Sequence, residues 1–236
     1  MIPEAVLVSG SLFLSYGIES IFGFAGSVLA LTLISFFIDI KTAVAILPFA
    51  AIIASSFVLA TDRKAPSVKV CLKVLSFSLP GLLGGVFLLA KAQSEVLVKL
   101  LGGLLALYAI WLLINPSGRI PKIVRYISYP FAGLVMGMFG IGAFYVIGIR
   151  DEIGDKRVLR GSLALMWLLL GLLRIPLYIS VGVSDYSFLS YSWLFLPSIL
   201  AAVLLGFHIH KKIQQQKFSR LFSLILFLVS FYYFFH

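Results

Sequence analysis

Four stretches of this chain, Ala43 to Ala60, Leu72 to Ala90, Val96 to Ile114 and Leu163 to Val183, are almost continuously apolar, and none carries more than one charge. Each approaches the roughly 20 residues that a helix needs to cross about 30 Å of bilayer hydrocarbon. In that solvent every backbone N–H and C=O must be satisfied within the protein, which leaves only helices or closed barrels. The runs lack the period-two alternation of a barrel strand. The expected fold class is therefore all-α, a polytopic membrane protein.

Composition agrees: 61% of the 236 residues are hydrophobic and 12% are charged, about half the charged share of a soluble domain. The formal net charge of +10 is read as cytoplasmic loops facing anionic lipid and setting orientation. No basic stretch is long enough for a nucleic-acid-binding domain. Cys71 is the only cysteine, which rules out an intrachain disulfide and a thiolate cluster. Met1 to Glu4 lacks the basic start of a cleavable signal peptide, so the first segment is expected in the mature protein.

Proline, glycine and charge divide the chain into two halves of similar layout, a first transmembrane repeat over 1–115, a cytoplasmic linker over 116–122 and a second repeat over 123–236. The first half reads as an apolar stretch broken near Gly23 to Ser27, then spans near 42–61, 69–90 and 95–114. The second reads as a stretch broken near Gly140 to Gly142, then spans near 156–181, 187–208 and 218–235. Phe22-Gly23 and Phe139-Gly140 lie 117 residues apart, as do Leu79-Pro80 and Leu196-Pro197. That common offset points to an internal repeat.

Basic residues cluster at Arg63 to Lys69, at Arg119 to Arg125, at Arg150 to Arg160 and at Lys211 to Arg220, and all four clusters are expected on the cytoplasmic side. Only the broken segment lies between the second and third. It must therefore enter and return to the same side, as a hairpin of short helices meeting at the glycine break. Applied to both halves, the rule gives ten membrane-embedded segments in two inverted groups of five. It places both termini outside a cell membrane, plasma or inner.

Inverted repeats with discontinuous helices bind substrate near the midplane, where half-helix ends point into a cavity. If helices restart near Ser27 and Ala143, their free N–H groups make a site for an oxyanion, with Gly23, Gly26, Gly140 and Gly142 allowing close approach. The plain alternative is that these glycines only let helices pack. Arg174 lies well inside a span, where an arginine costs about 2.5 to 3.5 kcal/mol on insertion scales. It is either a fixed cation for an anionic substrate or a residue of the outer interface pairing with Asp185. Glu19, one turn before the first break, has three readings: a proton carrier for coupled transport, a partner of Arg174, or a group in a water-filled vestibule. Hydroxyls at Ser55, Ser56, Ser162 and Thr32 are second-rank candidates for substrate oxygens, since such groups often bond to their own helix.

No enzymatic pattern is present. His208, His210 and His236 belong to no HExxH helix, and no Walker loop occurs, so no metal, cofactor or bound ATP is expected. The expected partners are the lipid bilayer and a small anionic substrate. Proton or sodium coupling and a homo-oligomer remain open options.

The glycine break, Ala43 to Ala60 followed by Asp62-Arg63-Lys64, and Leu79-Pro80-Gly81-x-x-Gly84-Gly85 resemble the first half of the TauE/SafE sulfite exporter family. Phe139-Gly140-Ile141-Gly142, Asp155-Lys156-Arg157-x-x-Arg160-Gly161-Ser162, Arg174, Tyr178 and Gly182 resemble its second half. Ala25, Ser27 and Ala143 depart from the fuller glycine clusters of that family, and Gly171 stands where asparagine is common. The resemblance implies secondary transport of sulfite, a sulfonate or a related sulfur-containing or organic anion, with Gly23, Gly26, Gly140, Gly142 and Arg174 at the site. The rival readings are an anion channel and a non-transporting membrane scaffold.

Overall fold

The computed structural model describes residues 2–22, 26–61, 65–114, 121–150, 152–183 and 192–209, with Ser230 and Tyr233. Among these every regular element is an α-helix: α1 (Ile2–Phe22), α2 (Gly26–Ile34), α3 (Ile40–Thr61), α4 (Val68–Lys91), α5 (Ser94–Ile114), α6 (Lys122–Phe139), α7 (Ala143–Arg150), α8 (Lys156–Ser180) and α9 (Ser192–Ile209). Four stretches are long and apolar enough to cross a membrane: Ile40–Thr61, Val68–Lys91, Ser94–Trp111 and Arg157–Ser180. Leu14, Phe87, Leu107, Leu172 and Ile179 point outward and are exposed, a surface that lipid solvates and water does not. The chain is a multi-pass helical membrane protein. Of the tenth expected segment, 218–235, only Ser230 and Tyr233 are among the described residues. Both are buried, and the Tyr233 hydroxyl donates to the Thr32 carbonyl oxygen at 2.9 Å.

Local chemistry sets several of the helix ends. The Asp155 carboxylate accepts from the Arg157 and Val158 N–H groups at the start of α8, at 2.8 and 3.3 Å, satisfying donors that have no partner within the helix. Asp39 accepts from the Lys41 N–H at the start of α3 at 2.8 Å. At the other end of α6, Gly140 adopts φ 70, and its N–H donates to the Met136 carbonyl. That left-handed geometry ends a helix at little cost only for glycine.

Both broken segments are hairpins, and their arms are unequal. The expectation of paired short helices is corrected here: the first arms have 21 and 18 residues and the second 9 and 8. At ~1.5 Å per residue the second arms span about 12 to 14 Å, less than half the hydrocarbon. They turn back. Glu152, just beyond α7, accepts from the Tyr129 hydroxyl of α6 at 3.2 Å and lies 3.9 Å from Arg125 in the first turn of α6. Thus α6 and α7 leave and return at one end of the bundle.

That end also carries Arg125 of the second basic cluster and the adjoining starts of α4 and α8. Lys73 of α4 bonds both Glu152 oxygens at 3.1 and 3.2 Å. The Ser67 N–H, preceding α4, donates to the Ser162 hydroxyl of α8 at 2.9 Å. Glu152 thereby ties α4, α6 and the end of α7 together. Because Lys73 is about one third exposed, water screens the pair, and Glu152→Gln is expected to cost about 1 kcal/mol or less. The loss should read as a small drop in melting temperature that disappears at high salt.

The closest helix pairings join the two halves of the sequence. α4 packs on α6, α1 on α9 and α3 on α8. Exchanging each of α1 to α4 with the helix five places later maps these pairings onto themselves, and also α1 with α2 onto α6 with α7. The α4–α6 contact is made at backbone distance. A Cβ on Gly81 or Gly85 would fall on the carbonyl oxygen of Pro130 or Leu134, and one on Gly133 or Gly137 on that of Ser78 or Leu82. Two bundles result, α1, α2, α3 and α9 on one side and α4, α6, α7 and α8 on the other, meeting where α3 crosses α8. The second bundle has its own apolar core, built on Val74, Leu82, Tyr129, Met136, Tyr145, Met166 and Leu170.

Candidate functional site

A cavity lies between the two bundles at the level of both helix breaks. From one side it is lined by Tyr16 and Glu19 of α1, Ser27 of α2, and Leu47 and Ala51 of α3. From the other come Met136, Gly140, Gly142, Trp167, Leu170 and Arg174. A second cavity shares Tyr16, Glu19 and Trp167 with the first and runs past Ser20, Ser55, Leu163 and Ala164 to Arg160. Arg160 stands in the first turns of α8, so the second cavity lies between that end of α8 and the cavity at Arg174.

Arg174 is 2% exposed. It sits at the C-terminal end of α6, where its Nη1 donates to the Met136 carbonyl oxygen at 3.4 Å. Its guanidinium also lies 5.9 Å from the Tyr178 ring centroid. The unsatisfied carbonyls and negative dipole end of α6 favour a cation there, which accounts for an arginine at membrane depth. At 3.4 Å, however, the bond lies beyond the usual N–H···O range of about 2.7 to 3.2 Å, and Nε has no partner among the described residues. That nitrogen is left to bind something else. Tyr178, one turn on, is better engaged, donating to the Gly137 carbonyl oxygen at 2.9 Å.

On the opposite wall, the Glu19 carboxylate takes hydrogen bonds from the backbone N–H groups of Gly26 and Ser27, the first residues of α2. It fills the place where the positive end of that helix would receive an anion. Gly26 is required because a Cβ there would strike this carboxylate. Gly140 and Gly142 bring the backbone before α7 to the cavity from the other side. A Cβ on Gly140 would meet the Arg174 guanidinium, and one on Gly142 the Trp167 ring.

The other expected residues are placed differently. Ser55 lines the second cavity. Ser56 is exposed. Ala143 is buried and lines neither cavity. The Ser162 hydroxyl donates to the Val158 carbonyl oxygen at 2.7 Å and accepts from the Ser67 N–H, so it anchors the start of α4 and also lines neither cavity. Gly23 and Asp185 lie outside the described residues. Two lining residues, Tyr16 and Trp167, escape a reading of the sequence. Tyr16 is 1% exposed and its hydroxyl has no partner among the described residues. Its only sequence signal is the three-residue spacing to Glu19, which puts both on one helix face.

The family model described as sulfite exporter TauE/SafE matches residues 8–233 of the 236-residue chain. No curated protein and no solved structure matches it.

Proposed function

Because the chain belongs to the sulfite exporter TauE/SafE family, a family of membrane transporters, we propose that it is a secondary carrier of a small oxyanion such as sulfite or a sulfonate, working by alternating access. The observation that carries this reading is the convergence of Arg174, Gly140, Gly142 and Ser27 on one buried cavity. The Arg174 guanidinium, and across from it the α2 start once Glu19 leaves it, supply N–H donors suited to an oxyanion. Gly23, Gly26 and Ala143 belong to the same two breaks, and Ser55 serves the approach; Ser56 and Ser162 take no part in binding.

The moving bodies are the two bundles rather than the two sequence halves. The glycine contact between α4 and α6 resists separation, whereas the α3–α8 boundary runs through the cavity and can hinge around it. The carrier sits in a cell membrane with its basic end in the cytoplasm and both termini outside. The repeats, 1–115 and 123–236, are inverted about the α3–α8 crossing.

Proteoliposomes loaded with unlabelled sulfite should accumulate labelled sulfite transiently above its equilibrium level, the counterflow of a carrier. Flux without counterflow points to a channel. If no small sulfur oxyanion moves or shifts thermal stability, the transport reading fails and a scaffold role takes its place.

A further inference from the structure

On the carrier reading above, we infer that the Glu19 carboxylate is a built-in stand-in for the substrate, so that a monovalent anion enters only when Glu19 takes up a proton and leaves the α2 N-terminus. Three observations carry the inference. The carboxylate already occupies the N–H groups of Gly26 and Ser27. It lines both cavities, together with Tyr16 and Trp167. Two residues that line the first cavity carry a buried polar group with no hydrogen-bond partner among the described residues, the Tyr16 hydroxyl and Arg174 Nε. They are the donors that an incoming oxyanion would take.

The charges facing Glu19 fix the stoichiometry. From its own helix it meets Tyr16 and Ser20, from α2 Ser27, from α3 Ser55, from α9 the uncharged Val203, and from α8 Trp167, Arg174 and Arg160. Arg160 lies partly exposed at the basic end, outside the enclosed part, and has interactions of its own there. Among the described residues the enclosed part therefore holds one cation, Arg174, and one anion, Glu19. Adding a monovalent anion would leave a net negative charge in a low-dielectric space, at a cost of several kcal/mol. A proton taken from water in the second cavity neutralises Glu19, frees the two N–H groups and restores the balance. The anion then occupies them and pairs with Arg174. When the cavity opens to the other side, the anion leaves with the proton. Each cycle moves one anion and one proton together and no net charge. A dianion would leave one charge uncompensated, so the singly charged form is the substrate.

Methanesulfonate is the suitable probe, since its single charge does not change over the range tested. Its affinity for the full-length protein is measured by thermal shift or calorimetry between pH 5 and 9. For the wild type, binding should weaken as pH rises, approaching about tenfold per unit, the limit for one linked proton. Glu19→Gln, which mimics the protonated group, should bind with a flat profile and more tightly than the wild type at the alkaline end. A flat wild-type profile overturns the coupling while leaving the carrier, and so does a wild-type slope in Glu19→Gln. If the wild type binds neither methanesulfonate nor sulfite at any pH, the carrier reading and this inference fall together. The wild-type profile decides the matter alone if the variant does not fold.

Discussion

Replacing Arg174 with alanine is expected to weaken anion binding by about 10² to 10³-fold and to abolish measurable transport, while the protein still folds. The loss is large because truncating one partner of a buried charge pair costs about 2 to 5 kcal/mol, much of it from leaving the other charge unpaired. The fold survives because Arg174 contributes little to it: one long bond to the Met136 carbonyl oxygen and a distant approach to the Tyr178 ring. Arg174→Lys keeps the charge but loses the planar fork, so its affinity should lie between the two. Thermal shift with methanesulfonate and uptake into proteoliposomes read both effects. Wild-type affinity in Arg174→Ala would remove this residue from the site.

Gly85→Leu should be strongly destabilising, and its neighbour Gly84→Leu nearly silent. A side chain at Gly85 collides with the backbone of Leu134 and comes within 3.0 Å of the Met138 N. Neither is the movable end of a side chain, so α4 and α6 must part along their length. Overpacking costs about 1 to 3 kcal/mol where neighbours can yield, and here the loss should reach or exceed the upper figure. At Gly84 a Cβ meets nothing within 4 Å, and the change should stay within about 0.5 kcal/mol. The melting temperatures of the two variants in detergent give the comparison directly. Equal stability would mean that α4 and α6 are not packed through this face.

The helices and their breaks were legible because the two signals that define them are local. Membrane thickness fixes the length of a span, and glycine marks a reversal. Phe22 and Phe139 end their helices beside the expected breaks, and α8 begins at Lys156 behind its Asp155 cap. Arg174 and Glu19 stood out because charge at membrane depth requires a reason. The packing between helices was not legible. In a soluble helix the polar face reveals which side is buried, but lipid is as apolar as a core, so a leucine facing Tyr16 and one facing hydrocarbon look alike. Ser162 looked like a site hydroxyl and is an anchor for α4. Tyr16 and Trp167, which carry no charge to mark them in the sequence, line the cavity.

The exchange of helices between the halves bears on how the protein is made. Synthesis delivers α4 to the membrane before α6 exists, so the glycine face of Gly81 and Gly85 must wait, unmatched, until the second half has been inserted. α1 waits longer still for α9. Neither bundle is complete before the second half arrives, and a half chain would carry three helices without their closest neighbours. Each bundle therefore needs helices from both ends of the chain before it can close.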